Sequence, residues 1–318
     1  MSKRKGRLIN GILVLNKPIG ISSNSALQEV KRLFFAAKAG HAGSLDPNAS
    51  GVLPIFLGEA TKFSQYLLNS DKTYEATIVL GCSTTTGDTE GEVIRKEDTS
   101  HITTDSIEKV LSKLRGNIQQ IPPMYSAIKH KGRRLYQLAR EGKEVERKPR
   151  SIKIITLEQR RFRSGKRAEV DIFLICSKGT YVRSLAEDIG SMLGIGAHVR
   201  NLCRLGAGPY QIEDSICFNA LREAREEGFY KMDSLLQPMD TALSIIPKLL
   251  VSDEGGYFLR QGQPVLVPNA PRNGMVRLAF KNDEFFGLGE VLEDGRIAPR
   301  KMVVDTSSST KASAILRG

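Results

Sequence analysis

No stretch of the sequence approaches the roughly 18 consecutive apolar residues of a membrane-spanning helix. The best N-terminal candidate, Ile12-Leu13-Val14-Leu15, is far too short. Lys3, Arg4, Lys5 and Arg7 precede it in the manner of a signal peptide, but Asn10 and Gly11 interrupt the run. Asn16-Lys17-Pro18 then ends it without a small-residue cleavage site. A cytoplasmic protein is expected. Cysteine is scarce: Cys82, Cys176, Cys203 and Cys217 form no C-x-x-C pair and no zinc-type spacing. Three lie in or beside apolar runs, so buried, reduced thiols are expected. The four histidines, His41, His101, His130 and His198, form no H-E-x-x-H cluster, and no G-x-x-x-x-G-K-[ST] loop is present. These absences disfavour metal, redox and nucleotide-cofactor chemistry, and no cofactor is expected.

What is abundant is positive charge. The 318 residues carry a formal net charge of +12. That balance does not set a fold, but it favours polyanionic partners. Residues 129–150 concentrate it, with nine Lys/Arg against three Glu, a local net of +6 in 22 residues. Tyr136, Leu135, Leu138 and Val145 interleave these charges. A solvated helix balances its signs better, so the segment suits a clamp on an RNA backbone. From Pro247 on, the charge is close to balanced.

Hydrophobic periodicity outlines the fold. Residues 11–16 read as a buried strand stopped by Pro18 and Gly20. Ser25 and Gln28 have capping-box spacing for a helix carrying Ala26, Val30, Leu33 and Phe34 to about residue 35. Residues 72–80 alternate as a strand with Tyr74, Ala76, Ile78 and Leu80 on one face. Asp105 and Glu108 are placed to cap a helix carrying Ile107, Val110, Leu111 and Leu114. Residues 168–176 form an apolar strand, followed by a helix carrying Leu185, Ile189, Met192 and Leu193. A basic segment with His198, Arg200 and Arg204 comes next. Several strands neighbour other strands, which favours an α+β fold with a mainly antiparallel sheet over a doubly wound one. Short apolar runs split by Gly, Pro and Asn after about residue 244 predict a small β-barrel domain, and the Ser-rich tail from about Thr306 is expected to be disordered. The expected organisation is 1–243, 244–305 and a tail 306–318.

The loop Gly40–Pro54, GHAGSLDPNASGVLP, is the sharpest feature. Asp-Pro alone is a turn dipeptide. Here His41 five residues upstream and glycines on both sides suggest backbone held close to a ligand, with Asp46 as a base, a nucleophile or a charge stabiliser. Tyr181 and Arg183 sit where a strand yields to a helix. Arg183 is suited to a carboxylate or a phosphate. Tyr74 by itself reads as a core tyrosine, and Thr84–Gly91 as a hairpin turn or, less simply, a phosphate nest.

Taken in order, GILVLNKPIGISS (11–23), KAGHAGSLDPNASGVLPIFLGEATKF (38–63), KTYEATIVLG (72–81) with the Thr-Gly-Asp loop after it, IPPMYSAIKHKGRRLYQLAREG (121–142), CSKGTYVRSL (176–185) and GAHVRNLCRL (196–205) resemble the TruB family of tRNA pseudouridine-55 synthases. The resemblance spans residues 8 to about 215. It implies an α+β pseudouridine-synthase domain with a mixed, mainly antiparallel sheet, a thumb at about 124–150 and a C-terminal PUA-like RNA-binding domain. It also implies isomerisation of a uridine in the T-arm stem-loop of tRNA. By position, Asp46 is the implied catalytic aspartate, Arg183 its partner and Tyr74 the uracil-stacking proton acceptor. His41 is implied to fill the space the base vacates, and Tyr181 and Leu202 to line the base pocket. Lys17, Lys129, Arg133 and Arg134 are further implied substrate contacts. Asn48 and Ser50 depart from the Leu and Thr usual in the family, which leaves the packing beneath the loop open. Attack by Asp46 on C1′ and a glycal route both remain open. The rival readings are a non-catalytic RNA-binding protein and a guide-RNA-dependent, dyskerin-like enzyme. The resemblance favours stand-alone action, and a monomer is expected.

Overall fold

The computed structural model describes residues 6–304, so the tail expectation lies outside the described residues. The chain opens with β1 (Gly11–Lys17), α1 (Ser23–Leu33), β2 (Ala39–His41) and β3 (Ala49–Leu57). β1 and β3 pair antiparallel and are buried on both faces, which is why they read as continuous apolar runs. Leu13, Leu15, Leu53 and Ile55 enter one core, while Ile12, Val14, Val52 and Phe56 enter another on the opposite face. The N-cap of α1 is Ser22, whose Oγ accepts from Ser25 N–H at 3.0 Å, rather than the expected Ser25. A 3-10 turn, Gly58–Phe63, leads to α2 (Ser64–Leu68).

β4 (Lys72–Leu80) alternates as expected, with Tyr74, Ala76, Ile78 and Leu80 inward. β5 (Cys82–Thr84) and β6 (Val93–Lys96) form a hairpin around the Thr-Gly-Asp loop. α3 (Thr104–Leu114) is capped by Thr103 and Ser106, not by Asp105 and Glu108. β7 (Gly116–Gln120) then gives way to the basic excursion, which holds a small hairpin of β8 (Lys129–His130) and β9 (Arg133–Arg134) and the helix α4 (Leu135–Arg140). β10 (Arg150–Arg163), β11 (Glu169–Cys176), α5 (Val182–Leu193), β12 (Ala197–Ala207), β13 (Tyr210–Gln211), α6 (Phe218–Glu227) and α7 (Phe229–Ser234) complete the larger unit.

The main sheet has the order β1-β3-β12-β4-β11-β10-β7 and is antiparallel along this path except where β12 runs parallel to β3. That parallel join brings Leu202 opposite Ala49 and Arg204 opposite Gly51, just past the Asp46 loop. Residues of α1, α3, α5 and α6 cover the core on one face. The architecture is the expected α+β type.

β14 (Lys248–Val251), α8 (Asp253–Arg260), β15 (Gly274–Phe280), β16 (Phe285–Val291) and β17 (Ile297–Met302) make a separate four-stranded sheet with its own core, and Val265 bridges to Ile297. It is fastened to the 3-10 turn beside α2. Phe63 meets Phe285 edge-on at 5.3 Å, Lys62 Nζ donates to Met302 O at 2.9 Å, and Lys301 Nζ donates to Lys62 O at 2.9 Å. Arg277 pairs with Asp240 at 3.0 Å. Of the four cysteines only Cys176 is buried. Cys82 and Cys203 are partly exposed and Cys217 is exposed, so burial was expected too broadly.

Candidate active site

Asp46 sits in the turn between β2 and β3, held by hydrogen bonds within its loop and to Ser23 at the start of α1. Ala49 N–H donates to Asp46 O at 3.0 Å, while Ser23 Oγ donates to Leu45 O at 2.9 Å and accepts from Leu45 N–H at 2.7 Å. The carboxylate reaches Arg183, Nε to Oδ2, at 2.9 Å. Tyr181 is the N-cap of α5, so the strand does not continue through it, and Arg183 lies in the first turn of the helix. Gln120 locks this entry, its Oε1 accepting from Tyr181 N–H at 2.8 Å and its Nε2 donating to Tyr181 O at 3.1 Å. Arg183 is buried and every arm of its guanidinium is used. Nη1 donates to Thr86 O at 2.9 Å and Nη2 to Tyr125 O at 2.7 Å. One side chain therefore ties Asp46 to the Thr-Gly-Asp loop and to the root of the basic excursion.

A second carboxylate, missed in the sequence, shares this cation. Asp88 Oδ2 lies 3.7 Å from Arg183 Nε, and Asp88 is buried. The Thr-Gly-Asp loop that carries it was read as a turn or a phosphate nest. Its acidic residue beside two threonines was the available signal. The loop is drawn in by Val199 N–H donating to Gly87 O at 2.9 Å. Asp46 and Asp88 line one small cavity with Asn48, Ala49, Arg183, Val199, Arg200 and Leu202. Its volume of about 10 Å³ is room for roughly one water. A larger cavity of about 380 Å³, lined in part by Glu75, Thr77, Arg160, Asp171 and Cys203, shares only Leu202 with it. That larger space does not hold the paired acid, and its Asp171 is already committed to Arg163 and Thr77.

Electrostatics tune Asp46 in opposing directions. Although 43% of its side-chain surface is open, desolvation by the surrounding protein pushes its pKa up. Arg183 pulls it down, Asp88 pushes it up again, and Lys17 pulls it down. The outcome lies above the ordinary value of 3.8. His41 is half-buried, and burial with the charges of Arg204 and Arg134 depresses its pKa, which keeps the ring neutral. The same effect places Arg134, from the basic excursion, within electrostatic reach of His41. Tyr74 is buried, and burial raises its phenol pKa. Tyr181 and Leu202 are half-buried. Lys129, Arg133 and Arg134 are exposed, with Arg133 paired to Glu141.

Lys17 is a correction. Expected to touch substrate, it is 0% exposed. Its Nζ donates to Pro18 O and Ile21 O, both at 2.8 Å, and to Pro47 O at 3.4 Å. It braces the residue after Asp46 instead. Of the basic segment's His198, Arg200 and Arg204, only Arg200 is exposed; the other two are buried. Burial lowers the Lys17 pKa to about 8 from 10.5. Between those values the unfolded chain binds more protons than the folded one, so this group's contribution to stability rises with pH. Lys17→Met should destabilise the fold by about 2 kcal/mol, because it strands buried carbonyls. Denaturant melts should also find the wild-type advantage over Lys17→Met widening between pH 8 and pH 10. A difference that is flat with pH would contradict the buried ammonium.

A paired, desolvated aspartate beside an arginine, on a mixed α+β sheet with a basic excursion, has clear relatives. The TruB family pseudouridylate synthase N-terminal domain matches residues 31–182. The tRNA pseudouridylate synthase B C-terminal domain matches 183–244, and the pseudouridine synthase II TruB C-terminal domain matches 247–303. The chain belongs to the TruB family of pseudouridine synthases. It is similar to tRNA pseudouridine synthase B of Stutzerimonas stutzeri (strain A1501), 49% identical over 302 residues that cover 95% of this chain and 98% of the relative. It is also similar to the protein of that name from Coxiella burnetii (strain Dugway 5J108-111), 48% identical over 93% of this chain and 96% of the relative. Among solved structures it resembles a Cbf5-Nop10-Gar1 complex, at 26% identity and TM-score 0.69, covering 93% of this chain and 84% of that one. An H/ACA RNP bound to a substrate RNA containing 2′-deoxyuridine shares the fold, with TM-score 0.71 and 24% identity over 96% of this chain and 92% of that one.

Proposed function

We propose that this enzyme isomerises uridine 55 in the T loop of tRNA, acting alone, with Asp46 as the catalytic carboxylate. The observation that carries the reading is the 2.9 Å Asp46–Arg183 pair at the wall of a small cavity. The reaction breaks N1–C1′ and joins C5 to C1′. The C5 proton leaves and N1 gains one, so nothing is oxidised and no water is consumed. Attack of the carboxylate on C1′ and departure of uracil with a glycal make the same demand on Asp46, that it be ionised. Arg183 serves that demand against the desolvation that opposes it. Tyr74 stacks on the uracil and accepts the proton, while Tyr181 and Leu202 line the base.

The target base must leave its stack, at a cost of a few kcal/mol. A neutral His41 ring taking its place offsets part of that cost. The residues from about 124 to 150 act as a thumb on the RNA backbone, and residues 244–305 as a PUA-like RNA-binding domain.

Purified protein and bare tRNA labelled with tritium at uridine C5 test this reading. Tritium release without any guide RNA is expected, and no release would contradict it. Lys129→Glu with Arg134→Glu should weaken tRNA binding by about tenfold or more and lower the salt slope, with kcat at saturating tRNA nearly kept. An unchanged Kd in filter binding would remove the thumb from the RNA contact.

A further inference from the structure

A second deeply buried cation near Asp46, besides Lys17, has no role in the chemistry above. Arg204 is 1% exposed and heads the largest fully buried side chains. Among the described residues its hydrogen-bond partners are carbonyls rather than carboxylates. Nε donates to Val52 O at 2.7 Å and Nη2 to Gly43 O at 2.8 Å. Those two carbonyls stand on opposite sides of Asp46 in the chain, Gly43 in its loop and Val52 in β3 beyond it. The backbone closes on Arg204 on both sides. Gly43 has φ +75, and a Cβ there would lie 3.3 Å from Nη1. Gly51 has φ +103, and a Cβ there would lie 2.2 Å from Arg204 O. Substitution at Gly51 is thus excluded by contact as well as by conformation.

Arg204 also faces Tyr74. The two are register partners across β12 and β4, and so project from the same face of the sheet. The guanidinium opposes the rise that burial imposes on the Tyr74 phenol, and it depresses His41 as well. A guanidinium has donors only. A phenol beside it can turn only lone pairs toward it, so the O–H proton points elsewhere. A buried cation without a counter-ion is costly to keep, and here one group holds a carbonyl on each side of Asp46 and stands next to a second proposed reactive side chain.

We propose that Arg204 is a positioning residue of the isomerisation, tying Gly43 O before Asp46 and Val52 O after it with one guanidinium and fixing the Tyr74 phenol beside it. The proposal rests on the isomerase reading given above. It requires the fork of an arginine, because a lysine ammonium keeps the charge but cannot hold two carbonyls in the same geometry.

Single-turnover rates on tRNA test it, measured for Arg204→Lys and Arg204→Gln in the wild-type and Tyr74→Phe backgrounds, with melts and tRNA Kd alongside and Asp46→Asn as control. At least Arg204→Lys should fold and bind tRNA within about threefold of wild type, with a rate about 10²-fold lower. In the Tyr74→Phe background the same substitution should cost at least about fivefold less, because the phenol it fixes is gone. A wild-type rate, an equal loss in both backgrounds, or failure of both variants to fold would each overturn the proposal. The last result would make Arg204 a folding residue. An active Asp46→Asn control would instead sink the isomerase reading, whereas an inactive control beside fully active Arg204 variants would sink this proposal alone.

Discussion

Asp46→Asn should bind tRNA with nearly wild-type affinity and form pseudouridine at least about 10⁴-fold more slowly, the scale on which loss of an essential reacting group is felt. The substitution keeps the shape of the side chain and its place in the loop, because the bonds that hold the loop use backbone atoms and Ser23. What it removes is the negative charge. Either route at C1′ needs that charge, and Asp88 cannot replace it. Asp88 is buried, farther from Arg183 and engaged within its own loop, where its Oδ1 accepts from Glu90 N–H. Single-turnover rates and filter binding on one tRNA check both halves. Residual activity within tenfold of wild type would take the chemistry away from Asp46.

Loss of the cation should come next in size. Arg183→Met leaves two carboxylates that had stood 2.9 and 3.7 Å from the same Nε without a partner. Burial already holds the Asp46 pKa above 3.8, and Arg183 is the largest influence against it. Removing Arg183 therefore raises that pKa further, and the ionised fraction falls at any given pH. The acid limb of the rate should move to higher pH, and the rate at neutral pH should drop about 10²–10³-fold. Arg183→Lys should recover part of the pH shift but little of the rate, since it keeps a charge and gives up the ties to Thr86 O and Tyr125 O. A pH–rate profile with an unmoved acid limb in Arg183→Met would show that this arginine does not hold Asp46 ionised.

The legible parts of the molecule were those set by local pattern. β4 alternates between core and surface and was read residue by residue. β1 is apolar on both faces because two separate cores claim it. Asp46 stood out because it occupies a glycine-flanked loop, and Arg183 because it follows the end of an apolar strand at the start of a helix. Helix starts were read two or three residues late where Ser22 and Thr103 outcompeted the expected caps, since a cap is chosen by backbone conformation as well as by residue type. The buried cations were illegible. A lysine or arginine in a sequence reads as surface, and its burial depends on carbonyls brought from elsewhere. Lys17 finds Pro47 O across 30 residues and Arg204 finds Gly43 O across 161. No spacing rule reaches that far. Asp88 was hidden for the same reason, its partner Arg183 lying beyond six further strands and two helices.

Nucleotide-resolution mapping of pseudouridine in an unmodified tRNA, after incubation with wild-type protein and with Asp46→Asn, reaches the core of this account in one experiment. A single new pseudouridine at position 55 with the wild type and none with the variant is the predicted result. A mark at another position, or an equal mark from both proteins, would contradict it.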